Sequence, residues 1–184
     1  AGIEVIGEVE LAWRLRGDGA APWLALTGTN GKTTAVRMLT SMLTAAGLKA
    51  LAVGNVGVPI VEAVREPYDV LAVELSSFQL HWSSGIAPLA AAVLNVAPDH
   101  IDWHGSLEEY AAAKAKIFRN APTVIYNADD ERCARLAEPY RAAGRRVVGF
   151  TLGAPRPGQL GVVEDLLVDR AFVPDPRRTA EELA

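Results

Sequence analysis

The run Gly28-Thr29-Asn30-Gly31-Lys32-Thr33-Thr34 constrains the fold most, because it follows the apolar stretch Trp23-Leu24-Ala25-Leu26 and opens a helical pattern. A strand, a glycine-bearing turn and a helix, in that order, are the setting of a phosphate-binding loop. Glycines let the chain turn until successive N–H groups point into one concavity, and the following helix N-terminus adds a potential favourable to an anion. Lys32 is then placed to reach terminal phosphates. Thr33 offers a hydroxyl to Mg²⁺, a hard ion that prefers oxygen ligands. The spacing is tighter than the general G-x-x-x-x-G-K-[ST] pattern, since Leu26 stands five residues before Gly31 and Gly28 only three before it. The loop is a shortened one, and a general nucleotide-hydrolase label is too loose for it.

Around this loop, apolar runs alternate with helical patterns. A helix is expected from Gly7 to Arg16, ended by Gly17-Asp18-Gly19, and strands at Trp23–Thr27, Lys49–Val53, Val70–Glu74, Leu89–Val96, Thr123–Asn127 and Arg146–Phe150. Helices are expected at Thr33–Ala46, closed by Gly47, at Ser106–Arg119, opened by a capping box of Ser106 and Glu109, and at Asp129–Ala143. Continuous apolar strands interleaved with helices describe an α/β fold: a mostly parallel sheet covered by helices on both faces. Residues 151–184 are expected to add a small β extension of edge strands and a tail, and residues 1–19 a leading helix and linker.

The chain has 184 residues, half of them apolar, enough for one well-buried domain. A net charge of −4 and the absence of a Lys/Arg run leave no basic surface for a nucleic-acid backbone. From Leu75 to Pro98 there is no Asp, Glu, Lys or Arg, but Ser76, Ser77, Gln79, His81, Ser83, Ser84, Gly85 and Pro88 interrupt the stretch. It reads as two buried pieces with a turn between them, so no membrane partner is expected. The start Ala1-Gly2-Ile3-Glu4 has no basic region leading into an apolar core, so a cytoplasmic location is expected, and both ends read as cut. The single cysteine, Cys133, rules out an internal disulfide and reads as a small buried hydrophobe.

In an open parallel sheet, ligands gather at the carboxyl ends of the strands. Thr27 to Thr33, Asn55, Glu74 to Ser77, Asn95 to His100 and Asn127 to Asp130 all fall just after a strand, on one rim. Taken in order, Gly28–Thr34, Gly54-Asn55-Val56-Gly57, Glu74-Leu75-Ser76-Ser77-Phe78-Gln79-Leu80, Asn95–His100 and Asn127–Asp130 resemble the Mur ligases of peptidoglycan synthesis over nearly the whole chain. The run from Glu74 to Leu80 resembles the branch that adds D-glutamate. The resemblance implies the central ATPase domain of a monomeric three-domain enzyme, with the uridine-nucleotide domain and the amino-acid domain outside these residues. It implies ATP-dependent amide formation between UDP-N-acetylmuramoyl-L-alanine and D-glutamate, through an acyl phosphate.

The resemblance also assigns roles. ATP would lie on Gly28, Thr29, Asn30, Gly31, Lys32, Thr33 and Thr34, with Asn127 in the adenine pocket. Thr33 and Glu74 would hold one Mg²⁺; His100 and a carbamylated Lys114 would hold a second. Asn55 would lie near the phosphates and Ser76 near the acceptor substrate. Read on residues alone, several of these have plainer alternatives. Glu74 could be a strand-end acid facing solvent, Asn55, Ser76 and Asn127 turn or cap residues, and His100 a simple hydrogen-bonding group. His81 and His104 are assigned no role beyond that. From spacing alone Lys114 is a solvated helix lysine. Yet the chain uses four lysines against fourteen arginines, and where arginine serves for general charge a retained lysine marks an amine that is needed. Two rival readings stay open: a folylpolyglutamate synthase-like ligase sharing the short loop, and a nucleotide-binding module without ligation.

Overall fold

The structure, a computed structural model, describes residues 2–183. After a leading helix α1 (Glu8–Leu15) come β1 (Trp23–Thr27), α2 (Lys32–Ala45), β2 (Ala50–Gly54), a short α3 (Ile60–Ala63) and β3 (Val70–Glu74). Then follow α4 (Ser77–His81), β4 (Ala90–Val93), α5 (Ile101–His104), α6 (Leu107–Ala115) and a 3-10 turn at Lys116–Phe118. The chain ends with β5 (Thr123–Asn127), α7 (Glu131–Ala142), β6 (Arg146–Phe150), β7 (Gln159–Val163), β8 (Leu166–Asp169) and the two-residue β9 (Glu181–Glu182).

The strands form one sheet in the order β2-β3-β1-β4-β5-β6-β7-β8-β9. It is parallel from β2 through β7, and the last strands turn back antiparallel. The α/β expectation holds, and so does the β extension after residue 151.

Helices cover both faces, but unequally. Leu26 and Ala72 point to the face packed by Val36 of α2. Their neighbours Ala25, Leu71 and Val73 point to the opposite face, where Val9, Ile60, Leu80, Tyr110, Phe118 and Ala137 from the other helices build the larger core. Right-handed crossovers explain the imbalance, because a connection running the other way along the sheet places its helix on the other face. Only the step from β1 to β2 runs toward that edge, and its helix is α2. The reversal of direction therefore falls at the carboxyl end of β1, the switch point where such sheets bind ligands.

Differences from the sequence expectation are local. Helix α2 begins at Lys32, with Gly31 in the left-handed region (φ 76°) as its N-cap. The strand expected over Leu89–Val96 is confined to Ala90–Val93, and the helix expected to reach Arg119 tightens into the 3-10 turn at Lys116. Three short helices, α3, α4 and α5, occupy segments to which the sequence assigned no helix. The reciprocal capping box sits at α4, where Ser76 Oγ accepts from Gln79 N and Gln79 Oε1 accepts from Ser76 N. At α6 only half of the expected box forms, with Ser106 Oγ accepting from Glu109 N.

Candidate nucleotide and metal site

Glu74 ends β3 with its side chain buried at 1% exposure. Its Oε2 accepts from Thr33 Oγ1 at 3.0 Å and its Oε1 from Asn55 Nδ2 at 3.0 Å. The solvent-facing strand-end alternative is thereby overturned. Asn55 reaches this position because the chain turns sharply after β2. Gly54 has φ 104°, and a Cβ there would lie 2.1 Å from the Glu74 carbonyl oxygen, so only glycine allows the close approach. Asn55 N then donates to that same carbonyl at 2.8 Å. Two hard oxygen donors, the Thr33 hydroxyl and the Glu74 carboxylate, meet beside the N-terminus of α2. That donor set suits Mg²⁺.

The loop itself is tied to the segment after β4. Asn95 Oδ1 accepts from Thr29 N at 3.0 Å and from Asn30 N at 2.8 Å, and Asn95 Nδ2 donates to Asn30 O at 3.0 Å. Thr29 Oγ1 donates to Ala97 O at 3.2 Å, accepts from Ala97 N at 3.0 Å and lies 3.2 Å from the Tyr110 hydroxyl. Lys32 Nζ donates to Thr29 O at 3.0 Å, so its amine folds over the loop. The N–H groups of Gly31, Lys32, Thr33 and Thr34 have no acceptor among the described residues. They are the free donors of a helix N-terminus.

Lys114 is where the structure departs furthest from spacing. It is buried at 1% exposure, and its Nζ donates to Gly28 O, in the loop after β1, at 2.8 Å. The ammonium also lies 4.4 Å from the Tyr110 ring centroid. Burial first, and the positive charge of Lys32 second, push its pKa down to about 7. The solvated-helix alternative is therefore wrong. The physical reason is the stripe Tyr110, Ala113, Lys114, Ile117, which follows helical spacing and is buried throughout. That stripe was present in the sequence and is the signal that reports the burial. As an ammonium, Lys114 has no lone pair for a cation; it fits a metal site only with added oxygen atoms, as a carbamate supplies.

His100 stands after Asp99 in the left-handed region (φ 50°), half exposed, with Nε2 3.5 Å from Asp99 Oδ2. Phe78 braces it, with ring centroids 4.9 Å apart, and also packs on Trp103 and His104. His104 Nε2 lies 3.0 Å from Ser77 Oγ, and burial lowers its pKa, helped by the neighbouring His81, His100 and Lys114. Hydrogen bonding accounts for His104, as expected, while the exposed His81 packs edge-on against Trp82 and Trp103. Ser76 is the cap of α4. Asn127 Nδ2 donates to Leu94 O at 3.0 Å and its Oδ1 accepts from Asp129 N at 2.9 Å, so its amide staples the ends of β4 and β5. The sequence placed Asn95 and Asp130 on the rim only as parts of longer runs, with no role of their own, and assigned Tyr110 none. Asp130 caps α7 and also accepts from Val96 N at 2.8 Å, holding the Asn95–Ala97 segment from the far side.

A sequence profile of the Mur ligase middle domain matches residues 26–163. The whole chain is 60% identical to a stretch covering 40% of a UDP-N-acetylmuramoylalanine–D-glutamate ligase from Thermobifida fusca. It thus spans about two fifths of the length of that relative. The fold resembles a solved UDP-N-acetylmuramoyl-L-alanyl-D-glutamate–2,6-diaminopimelate ligase (TM-score 0.68, 22% identity, covering 81% of this chain and 36% of that one). It also resembles a MurF ligase from Thermotoga maritima solved with ADP (TM-score 0.63, 18% identity, 88% and 40% coverage). With the profile spanning most of its length, the chain belongs to the Mur ligase family, and the family's middle domain is what it contains.

Proposed function

We propose that this chain is the ATP- and Mg²⁺-binding domain of a monomeric cytoplasmic ligase joining D-glutamate to UDP-N-acetylmuramoyl-L-alanine, with its uridine-nucleotide and amino-acid domains outside these residues. The alanyl carboxylate attacks the γ-phosphorus of ATP and ADP departs. The amine of D-glutamate then attacks the acyl phosphate, a proton is lost from nitrogen, and phosphate leaves as the amide forms. Carboxylate and triphosphate are both anions, so the residues here must offset their repulsion before any bond forms. Lys32 and the free N–H groups from Gly31 to Thr34 face the phosphates. Asn55 holds Glu74 in place, and Ser76 and Asn127 lie on the rim where acceptor and adenine would contact the domain. Bound Mg²⁺ supplies charge neutralisation, one ion held by Thr33 and Glu74 and a second by His100 and carbamylated Lys114. With a pKa near 7, much of the Lys114 amine is unprotonated at neutral pH and open to CO₂.

The observation that carries this reading is the burial of Lys114 under the phosphate loop, against Gly28 O. A module that only binds nucleotide has Lys32 for the phosphates and no use for a second, buried amine. In the full-length enzyme Lys114→Ala is expected to lower kcat by about 10²-fold or more, and CO₂ depletion to lower the wild-type rate until bicarbonate is returned. An unaffected rate in both would return Lys114 to a structural role. Product from UDP-N-acetylmuramoyl-L-alanine but not from a folate separates this ligase from its nearest rival, and no product from either supports the binding module.

A further inference from the structure

We infer that Asn95 is a positioning residue of the phosphate loop, and that with Thr29 it clasps that loop to the segment carrying His100, so that order in one is transmitted to the other. This rests on the nucleotide site proposed above and adds to it how its two halves are held in register.

The argument begins with a division among the loop N–H groups. Those of Thr29 and Asn30 both donate to the single oxygen Asn95 Oδ1, and Thr29 N is shared with the Asn95 backbone carbonyl at 3.1 Å, so only the Asn30 N–H rests on the side chain alone. Those from Gly31 to Thr34 are free. Asn95 therefore sets where the anion-binding row begins. Its Nδ2 donates to Asn30 O, which fixes the orientation of the Asn30-Gly31 peptide plane and hence the direction of the first free N–H. A side-chain amide does both. A carboxylate accepts but cannot donate, and leucine does neither.

Thr29 completes the clasp from the other side. Its hydroxyl bonds both the N–H and the C=O of Ala97, as a strand partner would. Val96 N, between the two tied residues, is held by Asp130. His100 thus leaves a segment fixed on two sides, and its left-handed backbone (φ 50°) is launched from that fixed base.

Amide hydrogen exchange on the wild-type chain, with and without MgATP, tests the division directly. Thr29 and Asn30 amides should be slow without nucleotide, and Gly31 to Thr34 should slow only when MgATP is added. Asn95→Ala is expected to weaken MgATP about tenfold or more in calorimetry, since three hydrogen bonds to the loop are lost. Thr29→Val keeps the shape and the Asn95 bonds but removes the tie to Ala97. In the full-length enzyme it should lower kcat several-fold while raising the KM for ATP less than Asn95→Ala does. MgATP affinity unchanged in Asn95→Ala, or Thr29 and Asn30 amides exchanging as fast as Gly31 to Thr34 without nucleotide, would overturn the clasp. Should Asn95→Ala not fold, the exchange pattern and the fall in kcat of Thr29→Val still decide, and an unchanged kcat in Thr29→Val would overturn the clasp. A wild-type chain that fails to bind MgATP at all would instead bring down the nucleotide site itself, whatever the apo exchange pattern.

Discussion

Lys32 and Lys114 lie near the same loop, yet the two regions that supply them are built in opposite ways. Lys32 opens α2, half-buried, and its amine bonds Thr29 O three residues earlier. Everything that places it is local. Lys114 comes from the last turn of α6 and bonds Gly28 O across a separation of 86 residues, inside a core that includes Tyr110, Ile117 and Phe118. Nothing that places it is local except the helix it rides on. A charged group positioned by a local motif at a helix start keeps part of its surface in solvent. One positioned by tertiary packing is desolvated, and its chemistry changes with its surroundings.

The largest expected effect tests the local half. If Lys32 is the phosphate contact, Lys32→Ala should abolish detectable MgATP binding to this chain, a loss of about 10²-fold or more, while leaving the fold intact. Calorimetry and circular dichroism on the same sample check both parts. Equal affinity in wild type and variant would move the nucleotide away from the loop, and the contrast with Lys114 would lose its first term.

The same contrast explains what could be read before the fold was known. Strands β1, β3, β5 and β6 fall at the expected residues, because continuous apolar runs bounded by turn residues report burial by themselves. The strand–turn–helix around Gly28–Thr34 was legible for the same reason: its glycines, Lys32 and Thr33 fall within seven residues. Helices α3, α4 and α5 were not, since four or five residues cannot display a helical period. Asn95 was legible only as part of a run on the rim. Its role depends on facing Asn30 across 65 residues, a separation no local pattern records. The burial of Lys114 sits between these cases, because the Tyr110–Ile117 stripe was visible but the charge argued against using it.

A smaller effect tests the long-range half through pH. The folded pKa of Lys114, about 7, lies below its unfolded value, so the unfolded chain binds more protons between pH 7 and about 10.5. Stability from this group therefore rises with pH across that window, and the penalty for burying the ammonium is complete below pH 7. Lys114→Met removes the charge at similar volume. Relative to wild type it should be more stable at pH 7 by about 1–3 kcal/mol, after allowing for the lost bond to Gly28, with the difference shrinking toward pH 10. Urea melts at pH 6, 7.5 and 9.5 measure it. A difference independent of pH would mean that the lysine is not desolvated in solution.

The smallest effect asks whether α6 positions Lys114 by its own local signals after all. Ser106 caps α6 by one side-chain bond to Glu109 N, at 3.1 Å, without the reciprocal half that Gln79 provides at α4. Removing such a cap costs about 0.5–1 kcal/mol, and less at an exposed end like this one than at the closed box of Ser76. Ser106→Ala should thus lower the urea midpoint slightly without changing the rate of the full-length enzyme, with or without added bicarbonate. The buried stripe from Tyr110 to Ile117 fixes the helix register regardless of how its first turn frays. If the rate falls together with the midpoint, the cap is setting the position of Lys114, and the distinction between a locally placed lysine and a packed one has to be redrawn around the start of α6.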